Sequence, residues 1–269
     1  MLDEPRAGRL AAWGNALFAG LVSPDDAATR VVADDTVHRV VGLPGEPGQV
    51  GLTLALGRLR SSGVVGLRIA LPAPGHPLGL SGPPEFNVAA LAAGEAVLAA
   101  GPGGAVGLVP EVSEAGPAGD VITEVLWRCL PVRQGPPADV PSLGEAEREL
   151  AEVLRDATEE LTRLDVAGAG PMARTRLEAY RARMERGRQV LAPGYPPRAV
   201  RVLELAQRVG ALVGIAEEAG ADDMGHGGVV SAGQLAERDR LLRTVERAAR
   251  RARVAAYNAY AEELERQDG

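Results

Sequence analysis

The chain lacks lysine, has a single cysteine and is poor in aromatic residues. All 29 basic residues are arginine, so no side-chain amine is present to form a Schiff base. The lysines that a phosphate-binding P-loop and a protein kinase require are missing for the same reason. The one cysteine, Cys129, cannot form an internal disulfide, and neither a CxxC nor an HExxH motif occurs. These absences exclude most enzyme classes that are identified by short motifs.

Long apolar runs are absent as well. The 269 residues are 46% hydrophobic, 24% charged and 3% aromatic, with a formal net charge of −7. Because the apolar runs are short and interrupted, we expect no membrane-spanning segment. The first ten residues, MLDEPRAGRL, lack the apolar core of a secretory signal. Together with the lone cysteine, these features predict a cytoplasmic protein.

Proline is present but unevenly distributed, and its distribution predicts a domain boundary. Sixteen of the 20 prolines precede position 142, and the stretch PVRQGPPADVP is too rich in proline to form a helix or a central strand. Ser142 and Glu145 then form the S-x-x-E capping box that starts a helix. We therefore predict a sheet domain over 1–133, a proline-rich linker over 134–141 and a helical domain over 142–269.

The first domain alternates between helical and strand patterns. We predict an α+β chain whose N-terminal domain is a mixed α/β sheet of about five strands, with helices mostly on one face. The predicted strands are 37–41, 64–71, 96–99, 105–109 and 121–130. A predicted helix at 50–59 lies between the first two strands, which suggests a right-handed crossover unit.

The second domain is predicted to be an antiparallel four-helix bundle. Apolar residues recur at intervals of three and four in four segments. The third segment, after Pro196 and Pro197, is apolar around most of its circumference. The fourth, from Ser231, carries a line of alanines that favours close approach of helices.

Three groups of side chains are candidates for binding. The proline-rich loop after strand 64–71 lies where open α/β sheets tend to place ligands. With that strand it supplies Arg68, His76, Ser81 and Asn87 to a predicted inter-domain cleft. A metal ion is the second possible ligand, held by Asp222, Asp223 and His226, although these residues are also typical of an ordinary glycine-rich turn. Nucleic acid is the third possible ligand, and it would be bound by Arg243, Arg247, Arg250 and Arg251. The net negative charge of the chain instead favours the interpretation that these arginines form a solvated helix face.

Two segments resemble known sequences. The stretches LPAPGHPLGLSGPPEFNVAALAAGEAVL (71–98) and VLWRCLPV (125–132) resemble parts of uncharacterised proteins of high-GC actinobacteria. The resemblance implies an actinobacterial cytoplasmic protein and assigns no catalytic residue, cofactor or substrate.

The favoured interpretation is a non-enzymatic protein that acts by protein–protein interaction and self-associates. It rests on the apolar third helix and the alanine-lined fourth helix of the second domain. The alternative is a small-molecule-binding or catalytic α/β protein that uses the loop after strand 64–71. We expect no cofactor, no membrane partner and no nucleic-acid partner.

Overall fold

The computed structural model describes residues 4–117, 119–135, 139–163, 175, 178, 191–224 and 232–268. The chain divides into two compact units. The sheet unit consists of residues 3–140, 191–196 and 257–269, and the helical unit consists of residues 1–2, 141–190 and 197–256. Each unit is described separately below.

The sheet unit contains four whole helices, six strands and the end of one further helix within its described residues. The helices are α1 (Arg6–Phe18), α2 (Pro24–Val32), α3 (Leu52–Ser61) and α4 (Pro84–Ala93). The strands are β1 (Val37–Val41), β2 (Val50–Gly51), β3 (Gly66–Ala70), β4 (Ala96–Gly101), β5 (Gly104–Ala115) and β6 (Ile122–Pro131).

The six strands form one mixed sheet in the order β2-β1-β6-β5-β4-β3. Strands β3 to β6 form an antiparallel meander, and β1 pairs with β6 in parallel. The prediction of about five strands is wrong by one, because Val50 and Gly51 pair with β1 before α3 begins at Leu52. The predicted crossover is also wrong, because β1 and β3 are not adjacent and run in opposite directions.

The two faces of the sheet carry different helices. A Cβ added at Gly14 of α1 would lie 2.4 Å from Leu67 of β3, so α1 packs on the face to which Leu67 points. On the opposite face, a Cβ added at Gly107 of β5 would lie 2.3 Å from the Phe86 ring of α4. The strand registers place Arg68, Leu98 and Gly107 side by side on this second face, which we call the α4 face.

Local sequence signals explain where several helices begin. The Ser23 hydroxyl accepts a hydrogen bond from the Asp26 amide at 3.1 Å, and Pro24 occupies the first turn of α2. The predicted capping box is confirmed, because the Ser142 amide donates to the Glu145 carboxylate at 2.9 Å and the Glu145 amide donates to the Ser142 hydroxyl at 3.3 Å.

The described part of the helical unit consists of helices. They are α5 (Leu143–Arg163), α6 (Pro197–Met224) and the first part of α7 (Ala232–Asp268), which belongs to this unit up to Ala256. Apart from residues 175 and 178, the second helix of the predicted bundle lies outside the described residues, so the four-helix bundle remains a prediction. None of the described helices is long and apolar enough to span a lipid bilayer.

The end of α7 belongs to the sheet unit from Tyr257 onward. It lies along β3, the strand at the open edge of the sheet. The Asn258 side chain accepts from the Ile69 amide at 2.7 Å and donates to the Ile69 carbonyl at 3.2 Å. Because Asn258 satisfies the backbone polar groups of an edge strand, it fixes this part of the helix along the sheet.

Candidate functional site

One cleft on the α4 face collects charged and polar side chains that are distant in sequence. Its cavity volume is about 30 Å³, and it is open to solvent. Its apolar wall comes from strands β4 and β5 and from the residue after β6, namely Leu98, Ala100, Ala105 and Val132. Four polar side chains complete the lining, namely Arg68, Ser81, Arg133 and Glu265.

Arg68 projects from β3, and only part of its hydrogen-bonding edge is used. Its Nη2 donates to the Glu265 carboxylate at 2.6 Å. Its Nε is buried and has no hydrogen-bond partner among the described residues. A buried polar group without a partner costs about 1–3 kcal/mol. Nε and Nη2 together form the edge of a guanidinium that can donate two hydrogen bonds to one oxyanion. In Arg68 only Nη2, one of these two donors, has an acceptor among the described residues.

Ser81 lies in the loop between β3 and α4. The adjacent Gly82 amide donates to the Asn87 side-chain oxygen at 2.9 Å, and the Gly82 carbonyl accepts from the Arg133 amide at 3.3 Å. These bonds hold the loop against the segment that follows β6. The Ser81 hydroxyl oxygen is buried and, like the Nε of Arg68, has no hydrogen-bond partner among the described residues.

Arg133 supplies the second cation. Its side chain lies against Gly82, where a Cβ would be 3.6 Å from the guanidinium carbon. Within the described part of the chain, this guanidinium has no ion-pair or hydrogen-bond partner. As far as the described residues show, the cleft therefore combines an unpaired arginine, a half-paired arginine and an unpaired hydroxyl.

Two carboxylates from α7 lie near Arg68, namely those of Glu262 and Glu265. The Glu265 side chain is 40% exposed, whereas Arg68 is 22% exposed. Burial raises the pKa of the Glu262 carboxyl above its ordinary value, and the nearby Arg68 opposes this shift. Because the remaining donors are cationic or neutral and all of them donate hydrogen bonds, the group that fits them is an oxyanion.

The four residues predicted to line an inter-domain cleft are only partly brought together, and the cleft described here is lined by residues of the sheet unit alone. Arg68 and Ser81 line the cleft, and Asn87 supports the Ser81 loop through Gly82. His76 lies in a tight turn, where its amide donates to the Ala73 carbonyl at 2.8 Å, and it does not line the cleft.

The other two candidate sites are seen only in part. Asp222 and Asp223 lie in the last turn of α6, and His226 lies outside the described residues. No cluster of three or more histidine, cysteine or acidic side chains with metal-ligand spacing occurs in the described ranges. On α7, Arg250 pairs with Glu246, and Arg251 pairs with Glu149 at 3.0 Å. Arg243 and Arg247 lie on exposed positions of the same helix.

Sequence reasoning missed Arg133 and Glu265. Arg133 lies at the edge of the proline-rich segment interpreted as a linker, and Glu265 lies in a helix assigned to another domain. One signal was available, because Asn258 interrupts the apolar run from Val254 to Ala261 shortly before Glu265. A buried asparagine in a helix indicates a backbone partner elsewhere.

A second polar cluster lies on the face opposite the cleft and was also missed. Asp35 accepts hydrogen bonds from Arg6 at 2.7 Å, from Arg9 at 2.6 Å and from His38 at 3.0 Å. The Trp127 indole donates to Nδ1 of His38 at 3.3 Å. Because the His38 side chain is fully buried and Asp35 is nearly so, this cluster is closed to a ligand.

The fold and the cleft define an α+β protein whose sheet unit carries an arginine-lined cleft. Comparison with known proteins then gives its family. The Rv1486c-like protein N-terminal domain matches residues 7–141, and the Rv1486c-like protein C-terminal domain matches residues 144–254. The chain therefore belongs to the Rv1486c-like family.

Mycobacterial relatives agree with this assignment. "Uncharacterized protein Rv1486c" of Mycobacterium tuberculosis is 33% identical over 277 residues, which cover 92% of this chain and 95% of that protein. "Uncharacterized protein MAV321" of Mycobacterium avium is 31% identical over 77% of both chains. These matches confirm the resemblance to uncharacterised actinobacterial proteins. No solved structure matches the chain.

Proposed function

We propose that the sheet unit binds a small oxyanion, or the oxyanion group of a metabolite, in the cleft of Arg68, Ser81 and Arg133. The observation that carries the proposal is the pair of buried, unpartnered polar atoms, Nε of Arg68 and Oγ of Ser81, in one cleft. The oxygens of a phosphate, sulfate or carboxylate group are acceptors that these two atoms could use, and their negative charge would attract Arg133.

The proposal is one of binding without turnover. A serine nucleophile requires a base within hydrogen-bond reach. The Ser81 hydroxyl has no hydrogen-bond partner among the described residues, so none of them is placed to take its proton. We infer that Ser81 donates a hydrogen bond to the ligand and is not acylated or phosphorylated by it.

The binding is tested by titration with inorganic phosphate, with acetate and chloride as separate arms at constant ionic strength. Each hydrogen bond to a charged group contributes about 1.5–3 kcal/mol. Replacing Arg133 by glutamine should therefore weaken phosphate binding roughly tenfold or more. The matched control is Arg39→Gln, which removes the same charge from an exposed position on β1 outside the cleft.

Isothermal titration and the phosphate dependence of the unfolding midpoint should agree, since a ligand that binds only the folded state stabilises it. Because the Arg133 guanidinium has no ion-pair partner in the described residues, its replacement should leave the unliganded midpoint nearly unchanged. Equal binding by the wild type, Arg133→Gln and Arg39→Gln would contradict the proposal. A response to acetate but not to phosphate would assign the cleft to carboxylates.

A second candidate function is self-association through α4. The observation that favours it is the exposure of two large apolar side chains on this helix, Val88 at 70% and Leu91 at 43%. The only charged residue of α4 is Glu85, in its first turn. A second copy of the helix could therefore pack against these residues without bringing many like charges together.

Sedimentation equilibrium tests this second candidate. The double variant Val88→Glu/Leu91→Glu should shift the protein toward the monomer. The control Leu54→Glu changes a side chain of α3 that is 47% exposed and should leave the association constant unchanged. A wild-type protein that is monomeric over the whole concentration range would eliminate this candidate without affecting the binding cleft.

A further inference from the structure

The last turn of α7 places a carboxylate inside the cleft, at the arginine that the ligand needs. Glu265 accepts from Nη2 of Arg68 at 2.6 Å, and the buried Nε of the same guanidinium has no partner among the described residues. An oxyanion that bridges Nε and Nη2 must take the position of this carboxylate.

We propose that Glu265 is an internal competitor that occupies Arg68 when no ligand is bound and is displaced by the incoming oxyanion. The inference rests on the proposed function, because it requires that the cleft bind an anion. It adds a regulatory element to that function, since the affinity of the cleft is set by a residue of the chain's own last helix.

Helix geometry explains why Glu265 reaches Arg68. Residues 258, 261, 262 and 265 are separated by three, four and seven positions, so they share one face of α7. Asn258 is bonded to the Ile69 backbone, and a Cβ added at Gly66 would lie 3.0 Å from the Cβ of Ala261. These two contacts hold the helix along β3, and Glu265, one turn further on, therefore lies in the cleft.

The same anchors allow the carboxylate to leave without detaching the helix. Asn258 and Ala261 fix the backbone one to two turns before Glu265, so displacement requires only rotation of the Glu265 side chain. Because that side chain is 40% exposed, water can solvate the released carboxylate. The competitor is therefore released at low cost.

The position of Glu265 is unfavourable for the helix itself. A negative charge in the last turn lies at the negative end of the helix dipole, where a cation would be favoured. Arg266 is the only basic residue in this last turn. The partner that compensates Glu265 is Arg68, and a partly exposed ion pair of this kind is weak. A weak internal pair is what a displaceable competitor requires.

The test is the dissociation constant for inorganic phosphate in Glu265→Gln. A partly exposed pair contributes little, so its removal should tighten phosphate binding by about two- to fivefold. Glu265→Asp shortens the side chain by one methylene and should give an intermediate gain. The matched control is Glu263→Gln, which removes the same charge from the same helix but from a residue that does not line the cleft.

The outcomes separate this inference from the proposed function. Unchanged or weaker binding by Glu265→Gln, while the wild type binds, would overturn the competitor and leave the cleft intact. An equal gain in Glu263→Gln would assign the effect to net charge and overturn it as well. A gain in Glu265→Gln with none in Glu265→Asp would overturn competition by contact. If neither the wild type nor Glu265→Gln binds phosphate or acetate, the proposed function is wrong, and the competitor role that depends on it is wrong as well.

Discussion

At the scale of single residues, the clearest case is His38, whose hydrogen bonds fix its protonation state. The Trp127 indole nitrogen can only donate, so Nδ1 of His38 must accept and Nε2 must carry the proton that is donated to Asp35. Burial lowers the pKa of His38, and Asp35 opposes this shift. A second proton on the ring would face the Trp127 N–H, so the folded protein holds a neutral imidazole.

Protonation of His38 should therefore make stability depend on pH. Its ordinary pKa is 6.5 and its folded pKa is lower. Above pH 6.5 both states are neutral, and as the pH falls below this value only the unfolded state binds the proton. The free energy of unfolding should then decrease by about 1.4 kcal/mol per pH unit until the folded pKa is reached.

The measurement compares urea unfolding between pH 7.5 and 5.5 in the wild type, in His38→Gln and in His76→Gln. The slope from His38 should disappear in His38→Gln and remain in the control. Burial also raises the pKa of Glu95, whose contribution has the opposite sign, so the difference between variants is the informative quantity. Identical slopes in all three proteins would show that His38 is protonated without penalty.

At the scale of elements, the edge strand β3 is completed by side chains instead of by another strand. Asn15 of α1 accepts from the Leu67 amide at 2.6 Å and donates to the Leu67 carbonyl at 2.9 Å. Asn258 of α7 makes the same pair of hydrogen bonds with the amide and the carbonyl of Ile69. The alternate backbone groups of an edge strand would otherwise be unpaired and buried. Two asparagines on two helices therefore replace a neighbouring strand.

Replacing Asn258 by alanine should destabilise the sheet unit by about 2–6 kcal/mol. The change leaves a buried N–H and a buried C=O of Ile69 without partners, and each such group costs about 1–3 kcal/mol. Chemical denaturation followed by circular dichroism measures the loss. Asn87→Ala, which removes one bond to a backbone amide on a partly exposed loop, should cost less. An equally small loss in both variants would contradict this account of the edge.

The helices and strands themselves were easier to predict than the pairing of the strands within the sheet. Periodicity and capping residues predicted α3, α5 and strands β1 and β3 to β6, because these signals lie within each segment. The pairing of β1 with β6 was not predicted, since it joins segments distant in sequence and follows from packing of the whole sheet. For the same reason Arg68 and Ser81 were found near one strand and its loop, whereas Arg133 and Glu265 were not.

At the scale of the whole molecule, the charges of the chain and of the cleft differ in sign. The formal net charge is −7, which disfavours non-specific binding of anions to the surface. Binding of phosphate by such a chain would therefore depend on a local arrangement of donors. The cleft of Arg68, Ser81 and Arg133 supplies one in the sheet unit, and the reactive groups that identify common enzyme classes are lacking in the sequence.

The most direct test of the binding cleft observes Arg68 itself. In a ¹⁵N-resolved NMR spectrum, the Nε–H resonance of Arg68 can be assigned by its loss in Arg68→Gln. If this hydrogen gains an oxyanion acceptor, the resonance should move progressively with added phosphate and saturate at the dissociation constant found by titration. A resonance that does not move while phosphate is bound, or that moves equally in Arg133→Gln, would contradict the account.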